Sequence, residues 1–287
     1  MSQSNYVEIK IRDAKSSMTK AEFAVAEYVE SHLSKIPMVS VKQLAKEIGT
    51  SEASVVRFCK ALGYHGYRDF VISLSAALGS MDRENDEKKY TDIRPGDDME
   101  TIIKNVSFNN QRSIEDTFTA LDKTMVAKAV KLLCEAKRVD WYGLGASALV
   151  CQDAQQKFMR ISKHWQAFVD GHSIQTAAAL LNPCDVVVLI SNSGTTMEML
   201  DALELARENG AKTIAITRYS KSELAQGCDI VLHISTPEVS LRSGAMGSRI
   251  AMLNVVDILF SCVASEQYNE VKKYLDKTRA ALKLRHR

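Results

Sequence analysis

The sequence predicts an α/β chain in which a small all-α unit precedes a larger doubly wound parallel-sheet unit. Three observations predict it. The first eighty residues place apolar side chains at helical spacing and show no strand-like alternation. Met81 to Asp98, MDRENDEKKYTDIRPGDD, is dense in charge and nearly free of aliphatic side chains, so it reads as a linker, with a solvated helix extension as the alternative. From Met99 onward short apolar runs alternate with helical segments, the order that builds parallel β-α-β units. The expected division is 1–80, 81–98 and 99–287.

In the first part, Thr19 to Ser31 carries Phe23, Ala24, Ala26 and Val29 at helical spacing. Val39 to Ile48 and Ser51 to Leu62 are the next two helices, and Tyr67 to Leu78 the fourth, with Phe70, Val71, Leu74 and Leu78 on one side. Gly49 and Gly63 follow helix ends, where a left-handed residue closes the last turn. In the second part, helices at 99–119 and 123–136 lead into strands at 138–142, 165–169, 185–190, 212–217 and 230–234. Helices at 146–161, 197–209, 247–265 and 268–284 fill the intervals and the end. The run Asp185-Val-Val-Val-Leu-Ile190 is apolar on both faces, as a strand covered on both sides must be.

Composition narrows the function classes. The 287 residues are 46% hydrophobic and 25% charged, as expected of a soluble globular chain. A net charge of +2 leaves any nucleic-acid contact to a local patch. No segment is expected to span a bilayer, and the mixed charges of MSQSNYVEIKIRDAKSS do not suit a signal peptide. The six cysteines have no CxxC spacing and the six histidines no HExxH pair. That pattern predicts a reduced cytoplasmic chain without a disulfide frame or a metal.

Two strand-to-helix turns carry the chemistry. Trp141-Tyr-Gly-Leu-Gly-Ala-Ser147 lets backbone N–H groups approach a ligand at a helix start, with the Ser147 hydroxyl in the same space. Leu189-Ile-Ser-Asn-Ser-Gly-Thr-Thr196 presents four hydroxyls around one glycine as a buried strand ends. A phosphate monoester offers oxygens that such hydroxyls and N–H groups satisfy. In open α/β sheets ligands bind at the carboxyl ends of strands. The first turn alone also fits a dinucleotide site, since Gly143, Gly145 and Ala148 match G-x-G-x-x-[GA] and Asp170 stands where a ribose carboxylate belongs. Plain helix capping is the third reading. The second turn favours a phosphosugar, because a dinucleotide site has no need of it. Asn192 and Asp170 are further candidate contacts.

Gln43 to Phe58, QLAKEIGTSEASVVRF, holds the other signal. A small Ala45, a turn glycine four residues later, and the apolar anchors Val55 and Phe58 have helix-turn-helix spacing. The outward residues of the second helix are expected to be Ser51, Glu52, Ser54, Arg57 and Lys60. Arg57 suits a guanine edge or a phosphate. A small helical protein-interaction domain is the competing reading.

Together AKEIGTSEASVVRFCKALGYHGYRDF, the charged linker, GLGAS and ISNSGTT closely resemble the RpiR-type bacterial transcriptional regulators, whose C-terminal half is a SIS (sugar isomerase) domain. The resemblance covers essentially the whole chain. It implies a regulator of carbohydrate genes that senses a phosphorylated sugar or sugar acid. By this resemblance Ser147, Ser191, Ser193 and Thr196 match the family's hydroxyl residues, and Ser51 to Lys60 its DNA-reading helix. SIS domains also occur in isomerases, where a glutamate or histidine further on moves protons; Glu238 and His233 are the candidates. The regulators are generally binders, so Glu238 is read as a ligand-hydroxyl contact or an exposed loop residue after Pro237. The expected effector set is Gly143, Gly145, Ala146, Ser147, Ser191, Asn192, Ser193, Gly194, Thr195, Thr196 and Glu238. Expected partners are double-stranded operator DNA with an inverted repeat, a phosphosugar, and further copies of the chain as a homodimer or tetramer paired through SIS domains. No cofactor, metal or membrane partner is expected, and phosphosugar isomerase is the alternative function.

Overall fold

The computed structural model describes residues 3–78, 96–161, 164–236 and 245–283. Most of the expected linker and Glu238 lie outside the described residues. The chain forms two compact units, one running to Ala120 and one built mainly from Leu121 onward.

The first unit holds six helices among the described residues: α1 (Gln3–Ala14), α2 (Lys20–Ser31), α3 (Val41–Ile48), α4 (Glu52–Ala61), α5 (Tyr67–Leu78) and α6 (Met99–Ala120). Local chemistry starts four of them, α6 through Asp98, which accepts from Thr101 N at 2.7 Å. Thr19 and Glu22 close α2 with a reciprocal capping box. Ser40 accepts from Gln43 N at 3.2 Å before α3, and Ser51 from Ser54 N at 3.1 Å before α4. Val25, Ala26, Val29, Leu44, Val55, Phe58, Leu62, Phe70 and Leu74 are fully buried and form the core. Phe23 and Ala24, expected inside, face out; Val25 takes the inward place instead.

Helix α1 has no counterpart in the sequence reading. Val7, Ile9 and Ile11 alternate like a strand, yet all are buried in a helix that also buries Lys10 and Asp13. Neighbours on several sides (α2, α5 and α6) bury apolar and charged residues alike, Val7, Ile9, Lys10, Ile11 and Asp13, which blurs the helical period. Helix α6, read from sequence as the start of the second unit, belongs to the first. Its Asp116 is fully buried between Arg12 at 3.0 Å and Arg112 at 3.2 Å. A buried carboxylate needs such partners, so the pair with Arg12 ties α6 to α1.

The second unit runs α7 (Lys123–Glu135), β1 (Arg138–Gly143), α8 (Ala146–Phe158), β2 (His164–Phe168), α9 (Gly171–Ala178), β3 (Asp185–Ile190), α10 (Met197–Glu208), β4 (Lys212–Arg218), α11 (Glu223–Gly227), β5 (Ile230–Ile234), α12 (Met246–Glu266) and α13 (Tyr268–Lys283). All sheet pairs are parallel, in the order β2-β1-β3-β4-β5. Along β3 the side chains alternate between two cores. Val186, Val188 and Ile190 join the core with α7, α8 and α12; Val187 and Leu189 join the one with α9, α10 and α11. That two-sided burial explains the unbroken apolar run.

Helix α12 corrects the expectation that no segment has spanning length. By length and composition it could cross a membrane. Its Ala251, Met252, Val255, Val256, Leu259 and Val263 instead pack into the core shared with the sheet, which is why the helix is apolar.

Candidate functional site

In the order 2-1-3-4-5 the chain leaves β1 toward one side of the sheet and β3 toward the other. A crevice opens at the carboxyl ends of these two neighbouring strands, the place where such sheets bind ligands. A cleft of about 260 Å³ occupies it. Leu144, Ala146 and Ser147 line it after β1; Ile190, Ser191, Asn192, Ser193, Thr196 and Met199 line it after β3. Ala245, Ser248, Arg249 and Met252 form its third wall, from the start of α12.

The helices that begin here differ from six others in how they start. Helices α2, α3, α4, α7, α9 and α11 start at Thr19, Ser40, Ser51, Asp122, Asp170 and Ser222, and each of those side chains accepts a first-turn N–H. Helices α8, α10 and α12 start at Gly145, Thr196 and Ala245 with no side-chain cap bond. Their starts carry no side-chain cap; backbone carbonyls take the N–H groups of Ser147, Ala148 and Met199, and the positive ends of the helix dipoles face the cleft.

The hydroxyls sit among these ends. Ser147 is 9% exposed and its Oγ meets the Met252 thioether at 4.0 Å, a weak acceptor. Ser191 Oγ accepts from Gly194 N at 3.2 Å and lies 3.2 Å from Thr196 Oγ1. Ser193 is exposed, and its Oγ accepts from Thr195 N at 3.3 Å.

Of the expected effector residues, the cleft gathers Ala146, Ser147, Ser191, Asn192, Ser193 and Thr196. Gly143, Gly145, Gly194 and Thr195 are not among its lining residues. The glycines shape the cleft from behind. A Cβ on Gly143 would stand 2.8 Å from Cys151 Sγ and 3.0 Å from the Ser147 backbone, so strand and helix could not approach. Gly194 has φ +66°, and a Cβ there would meet Ser222 Oγ and sit 2.6 Å from Ser222 Cβ. Glu238 lies outside the described residues, and His233 on β5 is not in the lining. The sequence reading missed the α12 wall. Its signal is present in Ser243-Gly-Ala-Met-Gly-Ser248, a second run of small residues and hydroxyls before an apolar helix.

A larger cleft of about 660 Å³ runs along the edge strand, from Arg138 and His164 to Asp170, His172 and Thr176. Unlike the switch-point cleft, it borders a helix start that carries a carboxylate cap. The N-terminus of α9 is already closed by Asp170, which accepts from Ser173 N at 2.9 Å and from the Ser173 hydroxyl at 2.5 Å. The hydroxyl is the larger of the influences that hold this carboxyl below its ordinary range. Asp170, weighed as a ribose or sugar contact, is a helix cap and does not line the switch-point cleft.

In the first unit, α3, the left-handed Gly49 and α4 form the expected helix-turn-helix. Ala45 is 4% exposed, and Val55 and Phe58 are fully buried behind α4. Ser51, Glu52, Arg57 and Lys60 are exposed. Ser54, expected to face outward, is 4% exposed. Its Oγ accepts from Arg57 Nη2 at 3.0 Å and lies 2.9 Å from Ser51 Oγ, so it positions the arginine from beneath. Arg57 Nε also stands 3.9 Å from Glu22 Oε1 while more than half of the side chain stays open to solvent.

Comparison with known proteins identifies both parts. Residues 5–81 match the helix-turn-helix domain of the rpiR family, and residues 132–262 match the SIS domain. An HTH-type transcriptional regulator of Caldanaerobacter subterraneus is 38% identical over 96% of both chains. The HTH-type transcriptional regulator YbbH of Bacillus subtilis is 34% identical over 95% of both. Among solved structures, the Vibrio vulnificus NanR protein complexed with ManNAc-6P superposes with a TM-score of 0.60 at 26% identity, covering 96% of this chain and 98% of that one. The sugar isomerase domain of an RpiR transcription factor from Sphaerobacter thermophilus shares the fold, with a TM-score of 0.58 and 22% identity over 63% of this chain and 99% of that one.

Proposed function

This chain belongs to the rpiR family of helix-turn-helix transcriptional regulators, and from that premise we propose that the switch-point cleft is its effector site and takes a phosphorylated sugar or sugar acid. One observation carries the proposal: helix ends without side-chain caps meet four hydroxyls, those of Ser147, Ser191, Ser193 and Thr196, around one small cleft. A phosphate ester has terminal oxygens that accept from such hydroxyls and N–H groups, and helix dipoles balance part of its charge. The similar NanR protein is complexed with ManNAc-6P, a ligand of the same class.

Operator DNA is read by α4. Arg57, steadied by Ser54, presents its fork to a guanine edge or a phosphate, beside Ser51, Glu52 and Lys60. Two copies place two such helices on an inverted repeat in successive major grooves. Effector binding changes operator affinity, and linkage requires that operator change effector affinity by the same factor. The domain acts as a binder, in keeping with its regulator relatives. A coupled assay in which sugar phosphates turned over would assign it isomerase chemistry instead.

Ser193→Ala tests the cradle. A hydrogen bond to a charged group is worth about 1.5–3 kcal/mol, so calorimetry should show sugar-phosphate affinity falling roughly 10- to 100-fold. An unchanged affinity would discard it.

A further inference from the structure

The walls of the switch-point cleft are chemically unequal. The turns after β1 and β3 supply hydroxyls and backbone donors, all neutral. Among the described lining residues the single ionisable side chain is Arg249, on the first turns of α12. Its guanidinium has no carboxylate within ion-pair distance among the described residues, although it is half-buried. A cation held in a cleft whose described lining carries no negative group favours an anionic guest, and one with two charges over one with a single charge.

The backbone beneath it is also unusual. Ala245, which starts α12, adopts φ +58° and ψ +34°, and it is the one non-glycine residue with positive φ among the described residues. An alanine in the left-handed region is strained, and such strain persists only where its surroundings enforce it. That turn leaves the first donors of α12 without a side-chain cap and brings Ser248, 8% exposed, into the lining. Ser147 Oγ, 9% exposed, approaches the same helix through Met252, one turn beyond Arg249.

We propose that Arg249 is the charge-reading residue of the cleft, which makes it select a dianionic phosphate group over a monoanion or a neutral polyol. The inference rests on the effector reading above and deepens it. The hydroxyls of Ser191, Ser193 and Thr196 fix where the group sits; Arg249 and the open start of α12 fix how much charge it must carry.

Inorganic phosphate is the probe, because its charge is set by pH alone and it needs no assumption about the sugar. Thermal shift and phosphorus NMR line broadening would be followed at pH 5.5, where the monoanion dominates, and at pH 8, where the dianion does, with chloride as the ionic-strength control. The wild-type chain should bind phosphate at least tenfold more tightly at pH 8. Arg249→Gln should weaken binding at pH 8 by 10- to 100-fold and flatten the pH preference, and Arg249→Lys should keep part of it. Ser193→Ala should weaken binding while leaving the pH preference in place. Wild-type affinity and pH preference in a folded Arg249→Gln, beside a weakened Ser193→Ala, would overturn this inference and leave the cradle standing. A wild-type chain that ignores phosphate at both pH values would overturn both.

Discussion

The helix-turn-helix and the switch point use the same residue types near helix starts for opposite ends. In the helix-turn-helix, Ser40 and Ser51 turn their hydroxyls back onto their own helices and satisfy the first-turn donors. At the switch point the helices begin without such bonds, and Ser147 and Ser193 stand in the cleft lining instead. The inward bond stiffens a reading head that must hold its shape against DNA. The outward display leaves donors for a guest and gives up about 1 kcal/mol per missing cap. Helix α9, beside the larger cleft, sides with the reading head: Asp170 caps it by accepting from Ser173 N. A serine at a helix start is thus a stabiliser or a ligand contact according to which way its oxygen is used.

Substitutions on the two sides should separate along that line. The largest effect is expected from Gly194→Val. The left-handed backbone strains any β-branched residue by about 1–3 kcal/mol, and the collision with Ser222 adds a similar overpacking cost. Sugar-phosphate affinity should fall more than 100-fold, and the denaturation midpoint should drop with it. A valine variant that keeps both would show that the turn does not need its glycine. Arg57→Ala should come next. Operator binding in a gel-shift titration should weaken by roughly 10- to 100-fold while effector affinity stays at the wild-type value. Equal DNA affinity would remove α4 from the interface. The smallest effect is Ser40→Ala, with about 1 kcal/mol lost from stability in urea unfolding and no change in effector affinity. That variant and Ser193→Ala form the sharpest pair, since each should move the quantity the other leaves alone. If both moved stability and neither moved affinity, the contrast between the halves would collapse.

Much of the fold was legible because the sheet is buried on both sides. Continuous apolar runs such as Val186 to Ile190 leave little choice, and all five strands lie within one residue of their expected ends. Helices buried on several sides were not legible. Helix α1 hides its period behind Val7, Ile9 and Ile11, and the short α9 and α11 have too few turns to show one. In the site, the turns after β1 and β3 could be read because glycines and hydroxyls follow apolar strands directly. The α12 wall could not, because no apolar run stands directly before Ser243 to Ser248 in the sequence to announce a strand end. Ser54 was misplaced for a related reason. It sits at outward spacing on α4, but its hydroxyl is drawn beneath Arg57 and between the caps.

The central claim is that helix starts left open at the switch point exist to hold a phosphate ester. The most direct test is a thermal-shift screen of phosphorylated sugars and sugar acids, each paired with its unphosphorylated parent. A ligand at a hundred times its dissociation constant stabilises the native state by about 2.7 kcal/mol, on the order of 5 °C in a unit of this size. At least one phosphorylated compound should raise the midpoint by that amount while its parent does not. A panel in which no phosphorylated compound shifts it, or in which the parent sugar shifts it equally, would mean that the open helix starts do not serve a phosphate ester.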